Sequence, residues 1–423
     1  MGMLCRLGLL AICLLLLAGS TTMAAEVAEL LNQEWYPTPP PLPPPTGQVL
    51  KVSTVEELFQ AAKDVRPGGT ILVADGHYMM PRYFGLDTDN VTLRSESGQR
   101  DKVILDGAES RHGELVGVSR CRGVTIADLT IQNIQHNGFK INSNTGVHDV
   151  TIYNCVIHNI WQRGVKGVPG EVIDGKRVPP RNCRIQYCLF YNDRPKSFSD
   201  DSYEAQNPER FGGNYVGGMD IMNAKGWVIS DNVFVGIHGR TGGARGAIFI
   251  WNGSEDCLIE RNIIIDCDTG ICLGNSHRST WPIHCTRFLV RNNFVTRCPE
   301  NGILSDYTQD CKIYNNTVHD PQSRLQRLLR VVHDADGLLA VNNLLSGPGI
   351  RVELAKGDYT LRNNVIKDMT DAFVDAAKGN LHLKAVVADL VDGGEPLGEV
   401  TEDIDGERRG EKPDIGADEF TGT

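Results

Sequence analysis

The chain has 423 residues, 41% of them hydrophobic, and a formal net charge of −11 with histidine neutral. That balance disfavours nucleic acid as a partner, since affinity for a polyanion would have to come from a local basic patch. Its 12 cysteines are too sparse for a disulfide scaffold, and none has the CxxC or Cys/His spacing of a zinc site.

Residues 1–25, MGMLCRLGLLAICLLLLAGSTTMAA, read as a secretory signal peptide: one basic residue, an apolar run, then small residues. No later stretch approaches the roughly 18 apolar residues of a membrane span. The mature protein is therefore expected outside the cytoplasm, secreted or periplasmic, with no transmembrane segment and as a monomer. It would carry a charge of −12 and ten cysteines, because cleavage removes Arg6, Cys5 and Cys13. Residues 26–48 contain TPPPLPPPTG and read as an extended, unpacked proline-rich tether.

Structure is expected from residue 49. Thr54 and Glu57 have capping-box spacing, and Leu58, Ala61, Ala62 and Val65 share one face of the short helix that follows. Such a helix covers the end of a β-stack, whose edge strand otherwise offers unpaired backbone groups.

From residue 91 one octet returns: VTLRSESG, VTIADLTI, VTIYNCVI, CRIQYCLF, WVISDNVF, CLIERNII, FLVRNNFV, CKIYNNTV, LLAVNNLL and YTLRNNVI. Its sixth position holds Leu129, Cys155 and Cys188, then Asn232, Asn262, Asn293, Asn316, Asn343 and Asn364. Such a column is explained if successive turns of chain lie above one another at the interstrand spacing of about 4.8 Å, where stacked amides pass hydrogen bonds from turn to turn. A second strand follows each octet, as in GFKIN, GVKGV, GMDIM and AIFIW. Strands recurring without intervening helices predict an all-β, right-handed parallel β-helix of about ten coils over residues 49–384, with a C-terminal tail or cap at 385–423.

In that register Lys140, Lys166, Asp220, Phe249, Cys272, Leu304, Arg330, Arg351 and Val374 form one outward column. Lys140, Lys166 and Asp220 stand on three consecutive coils. The longest insertions fall between Cys155 and Asn293, as a rim around a working surface does. Between Ile160 and Lys196 eight Lys or Arg face three Asp or Glu, a footprint for an anionic ligand. Two adjacent ammonium groups lower the proton affinity of at least one. A neutral lysine can abstract a proton α to a carbonyl while a second cation stabilises the anion formed.

The octets, the asparagine column, the PGGTILVADGHY opening and the DIDGERRGEKPDIGADEF ending resemble secreted bacterial right-handed β-helix repeat proteins. That group includes polysaccharide lyases of the pectate-lyase and chondroitinase B/alginate-lyase type. The resemblance implies β-elimination of an acidic, uronate-containing polysaccharide by a Lys or Arg base, with calcium as a possible cofactor. It assigns Lys166 as base, Lys140 or Arg245 as carboxylate neutraliser, and Asp220 as the group that orients a lysine or binds calcium with the Asp200-Asp201-Glu204 loop. Chondroitinase B-like enzymes pair Lys with Arg on neighbouring coils; here the Arg would come from Arg163, Arg240 or Arg245. His136, Arg163, His238, Arg240, Trp251 and His277 are the candidate substrate contacts. Trp227, at a first octet position, reads as core, and Cys267 with Cys298 as a disulfide or a stack of buried thiols. A glycoside hydrolase and a non-catalytic glycan-binding surface protein are the alternatives. The first needs paired carboxyl groups, and only Asp220 stands in the central position.

Overall fold

The computed structural model describes residues 25–277 and 280–422, so the leader, apart from its final residue, lies outside the described residues. Three long parallel sheets run along the chain. The first sheet starts at Val49–Val52 and ends at Thr360–Arg362. It takes the first half of each octet. The second, from Gly76–Met79 to Val365–Ile366, takes the second half. The third passes through Glu114–Val118, Asn137–Ile141, Arg163–Gly167, Gly217–Met222 and Ile248–Trp251, and ends at Ile350–Lys356. Each coil contributes one strand to each sheet, which is a parallel β-helix.

Like residues stack because like octet positions stack. Ile126, Ile152, Ile185, Ile229 and Ile259 are successive register partners, all buried in the interior. Trp227 is fully buried, and its indole N–H donates to the Pro180 carbonyl at 3.0 Å. The asparagine ladder is continuous. Each side-chain amide donates to the next Oδ1, from Asn232 to Asn262 at 2.9 Å through Asn343 to Asn364 at 2.9 Å. Each acceptor also takes the preceding asparagine's backbone N–H. The residue before each rung turns the corner between the first and second sheets with positive φ, as at Asn292 (53°), Asn315 (47°), Asn342 (57°) and Asn363 (50°). Asparagine tolerates that left-handed conformation better than most side chains.

The helix Val55–Asp64 forms where the capping signal lies, with Thr54 accepting from the Glu57 N–H, and it packs Leu58, Ala61 and Ala62 into the first coil's core.

Two expectations are corrected, and of the two readings of Cys267 and Cys298 the buried thiols hold. The proline-rich segment is docked, not free: the Tyr153 hydroxyl donates to the Pro40 carbonyl at 2.6 Å and Arg94 to that of Pro43 at 3.2 Å. Just before it Val27 and Leu30 are buried with Val233 and Phe294 of the second sheet, with Phe373 just beyond that sheet, and with Leu390 of the tail. Cys267 and Cys298 are buried free thiols on adjacent coils, each directing its S–H at the carbonyl two residues back along the chain, Ile265 O and Thr296 O. Val374 lies in a separate antiparallel pair, Phe373–Asp375 with Asn380–Leu383, outside the third sheet's column.

Candidate functional site

The outward column of the third sheet is built as the octet register demands. Lys140 pairs in register with Lys166, and Lys166 with Asp220. Further along, Phe249 pairs with Cys272, Cys272 with Leu304, Leu304 with Arg330, and Arg330 with Arg351. The two lysines are not, however, each other's electrostatic neighbours. Lys140 Nζ lies 2.8 Å from Glu114 Oε1, on the preceding coil, whereas Lys166 Nζ lies 2.6 Å from Asp220 Oδ2. Mutual repulsion is thus replaced by two separate ion pairs, because Glu114 stands just outside the repeated strand pattern from which the column was read.

Asp220 is the centre of the second pair. It is 1% exposed and receives three donors: Lys166, the Arg163 Nε at 3.1 Å and the Trp251 indole N–H at 3.0 Å. Burial alone would raise its pKa, but the Lys166 and Arg163 charges and these hydrogen bonds outweigh burial and hold the carboxyl below the usual carboxylate range. Arg163, also 1% exposed, lies with its guanidinium 3.9 Å from the centre of the Tyr215 ring and donates to its neighbour's carbonyl, Gln162 O, at 3.0 Å. The column faces outward from the sheet, yet Asp220, Phe249, Cys272 and Leu304 are buried under the inserted loops rather than open to solvent.

Those loops leave a groove along the third sheet. A depression of about 340 Å³ opens above Asp220 and is walled by Tyr215, Arg245, Phe249, Trp251 and His277. On one side it shares Phe211 and Tyr215 with a depression of about 370 Å³ over Glu114, His136 and Asn137. On the other it shares Arg245, Phe249 and Asn275 with one of about 570 Å³ over Leu304, Asp306 and Arg330. Arg245 is exposed, and its guanidinium has no hydrogen-bond or ion-pair partner among the described residues.

Among the expected contacts, Arg163, Trp251 and His277 border the central depression and His136 the first. Arg240 and His238 do other work. The Arg240 guanidinium lies over Phe198, 4.5 Å from the ring centre, and donates to the Gly212 carbonyl, tying two loops together. His238 Nδ1 lies 2.7 Å from Asp268 Oδ1, and Asp268 Oδ2 accepts from the Gly239 and Ala244 N–H groups. This clamp shapes the loop that presents Arg245. Burial opposes protonation of His238, but the Asp266 and Asp268 carboxylates outweigh it and raise its pKa to about 9.

The acidic loop does not converge on Asp220. Asp200 takes a two-point contact from Arg194 at 2.7 Å, while the fully buried Lys196 holds Asp201 at 2.9 Å and also Glu204. These carboxylates are engaged by cations and do not form an open oxygen cage. A group of side chains with metal-competent spacing, His382, Asp405 and Asp418, lies where the tail packs on the second sheet, with His382 against Phe294. Lys196 went unrecognised at the sequence level; its signal was a lysine beside the run Asp200-Asp201-Glu204.

A family model described as "Right handed beta helix region" matches residues 221–385. No curated protein matches the chain. The solved structures it resembles include the pectate lyase Pel9A, at 12% identity and a TM-score of 0.52 over 89% of this chain and 97% of that one. A rhamnogalacturonan lyase matches at 12% identity and a TM-score of 0.49, over 81% and 97%. A PL6 alginate lyase in complex with a trisaccharide matches at 12% identity and a TM-score of 0.44, over 80% and 88%.

Proposed function

With a right-handed parallel β-helix as the frame, we propose that the groove on the third sheet binds an acidic polysaccharide and cleaves it by β-elimination. The observation that carries this reading is a charge count: the buried cluster holds two cations, Lys166 and Arg163, against one carboxylate, Asp220, beneath a groove bordered by the unpartnered Arg245. A lysine base works only in its neutral form. Neutral Lys166 leaves Arg163 and Asp220 as a balanced pair, with Trp251 still bonded to the carboxylate, so no buried charge is stranded.

In this reading a uronate carboxylate docks against Arg245, as the anion that guanidinium lacks. Lys166 takes the C5 proton, the released electron pair forms the C4–C5 double bond, and the C4–O bond breaks. The departing oxygen takes a proton from water in the open groove. Arg245 takes the neutralising role for which calcium is the alternative, so a chelator leaves the rate unchanged. The test is an ultraviolet screen for unsaturated uronate ends over pectate, alginate, chondroitin and dermatan, with and without chelator. Absorbance that appears with wild type and vanishes with Lys166→Ala supports the reading. Reducing ends without absorbance would make the protein a hydrolase, and retention on a polymer without cleavage a binding protein.

A further inference from the structure

The two ends of the solenoid are finished differently. At the first coil the helix Val55–Asp64 lies against the stack and packs Leu58, Ala61 and Ala62 into its core. At the last coil the third sheet ends in Ile350–Lys356, which pairs with Leu329–Asp336 on one edge and, among the described residues, with no strand on the other. The tail does not cross this end. It runs along the flank, where Glu395 and Gly393 meet the corner residues Asn342 and Asn363.

The uncovered end exposes the interior itself. Inward-facing Leu345 of the second sheet is 1% exposed, whereas its register partner on the last coil, Ile366, is 49% exposed. In the third sheet Val331 is fully buried and its partner Val352 is 40% exposed. In the first, Ala340 is fully buried and its partner Leu361 only partly so. Each sheet therefore ends on a core position open to solvent, beside a row of unpaired backbone groups. Sheet edges and solenoid ends are otherwise covered or made polar. Leu354 enlarges the apolar patch: it is 77% exposed and has a φ of 56°, a conformation that asparagine or glycine adopts at lower cost.

We infer that this end docks against the same end of a second copy of the chain. Three observations select that occupant. The helix on the first coil blocks stacking of one copy's last coil on another's first, so only like ends meet, which closes a two-fold dimer. The apolar residues Val352, Leu361 and Ile366 continue the interior columns, and a second copy prolongs them across the junction. The charges along the edge alternate as Arg351, Glu353, Lys356 and Asp358. A two-fold axis reverses that order, setting Arg351 against Asp358 and Glu353 against Lys356, each from the other copy. Glu353 and Leu354 also border the depression over Leu304, Asp306 and Arg330, so the second copy walls the open end of the groove. This inference stands independently of the acidic-polysaccharide reading.

Sedimentation equilibrium of the full chain at micromolar concentrations is expected to give about twice the mass of one chain. Leu354→Lys combined with Ile366→Lys places ammonium groups in the junction and should yield a monomer whose circular dichroism matches wild type, since both side chains are exposed. Amide hydrogen exchange is a second readout that needs no variant: Ile350–Lys356 should exchange slowly at high concentration and much faster on dilution. Wild type that is monomeric throughout, with these amides fast at every concentration, overturns the inference. So does a folded double variant that remains dimeric, which would place the interface elsewhere. Mass that keeps growing with concentration also overturns it, because open-ended assembly requires unlike ends to meet.

Discussion

Lys166 and Asp220 sit on adjacent coils with Nζ 2.6 Å from Oδ2, but the carboxylate does not depend on that lysine alone. Arg163 and Trp251 also bond to it. Removing either member of the pair should therefore have unequal effects. Asp220→Ala strands two buried cations and is expected to cost about 3–5 kcal/mol in urea unfolding. Lys166→Ala leaves Asp220 compensated, so stability falls much less, while cleavage drops by about 10²–10⁴-fold, the usual contribution of a general base. Equal destabilisation by both would show that the cluster needs Lys166 for its fold.

Arg245 is the complementary case, a cation with nothing to lose on the protein side. Arg245→Ala should leave the midpoint of unfolding within about 0.5 kcal/mol of wild type. Retention on a polyuronate column should weaken, and its dependence on salt should flatten. Unchanged retention would place the anion site elsewhere.

The asparagine ladder predicts a large effect far from the groove. Asn293 donates to the Asn316 side chain and the Ile259 and Arg291 carbonyls, and accepts from both amide groups of Asn262. Asn293→Ala leaves several of these groups unsatisfied in the interior, and a loss of about 3 kcal/mol or more is expected. Asn232→Cys should be milder, because Asn232 begins the ladder and the position before it is already Cys188.

The His238 clamp gives a pH dependence. The folded-state pKa of about 9 lies above the ordinary 6.5, so the clamp's stabilisation is complete below about 6.5 and is lost as pH rises through about 9. Thermal unfolding should show a falling melting temperature across that window, on the order of 3 kcal/mol at most. His238→Gln should abolish the slope, and a slope that persists in this variant would assign it to another group.

Burial raises the thiol pKa of Cys257 and Cys267, and Cys183 is pushed up to about 12. The ten described cysteines are all free and buried. A thiol reagent should label none of them in the native protein at neutral pH and all ten after unfolding. Fewer than ten after unfolding would reveal a bridge.

Repetition made the solenoid readable: once the octets were aligned, the register Lys140–Lys166–Asp220 and the ladder from Asn232 to Asn364 followed from spacing alone. What the lysines touch did not. Glu114 lies in the coil before the first obvious second strand, and nothing in HGELVGV marks it as the partner of Lys140. Burial of Asp220 depends on Trp251 and Tyr215 folding over it, and the tertiary placement of inserted loops is not periodic. Arg240 and His238 read as substrate contacts because they sit in a glycine-rich insertion, whereas both fasten that insertion to its surroundings. The proline-rich stretch was misread for a related reason: composition reports local stiffness, but docking of Pro40 and Pro43 is decided by Tyr153 and Arg94 on coils far away in sequence.

The left-handed corner residues of the later coils are completed by the far end of the chain. Asn292 donates to Glu402 O, Asn315 to Asp414 O, Asn342 to Glu395 O and Asn363 to Gly393 O. Val27 and Trp35 from the opposite terminus share the neighbouring apolar layer with Leu390 and Ile415. A stack of repeats joined only to nearest neighbours can unzip one rung at a time from a loose end. Here both extremities are stitched along the flank, so fraying of the last rung must also tear out a seam that crosses several others. The array is thereby made to open as a unit, and the seam cannot close until the stretch from Gly393 to Asp414 has been synthesised.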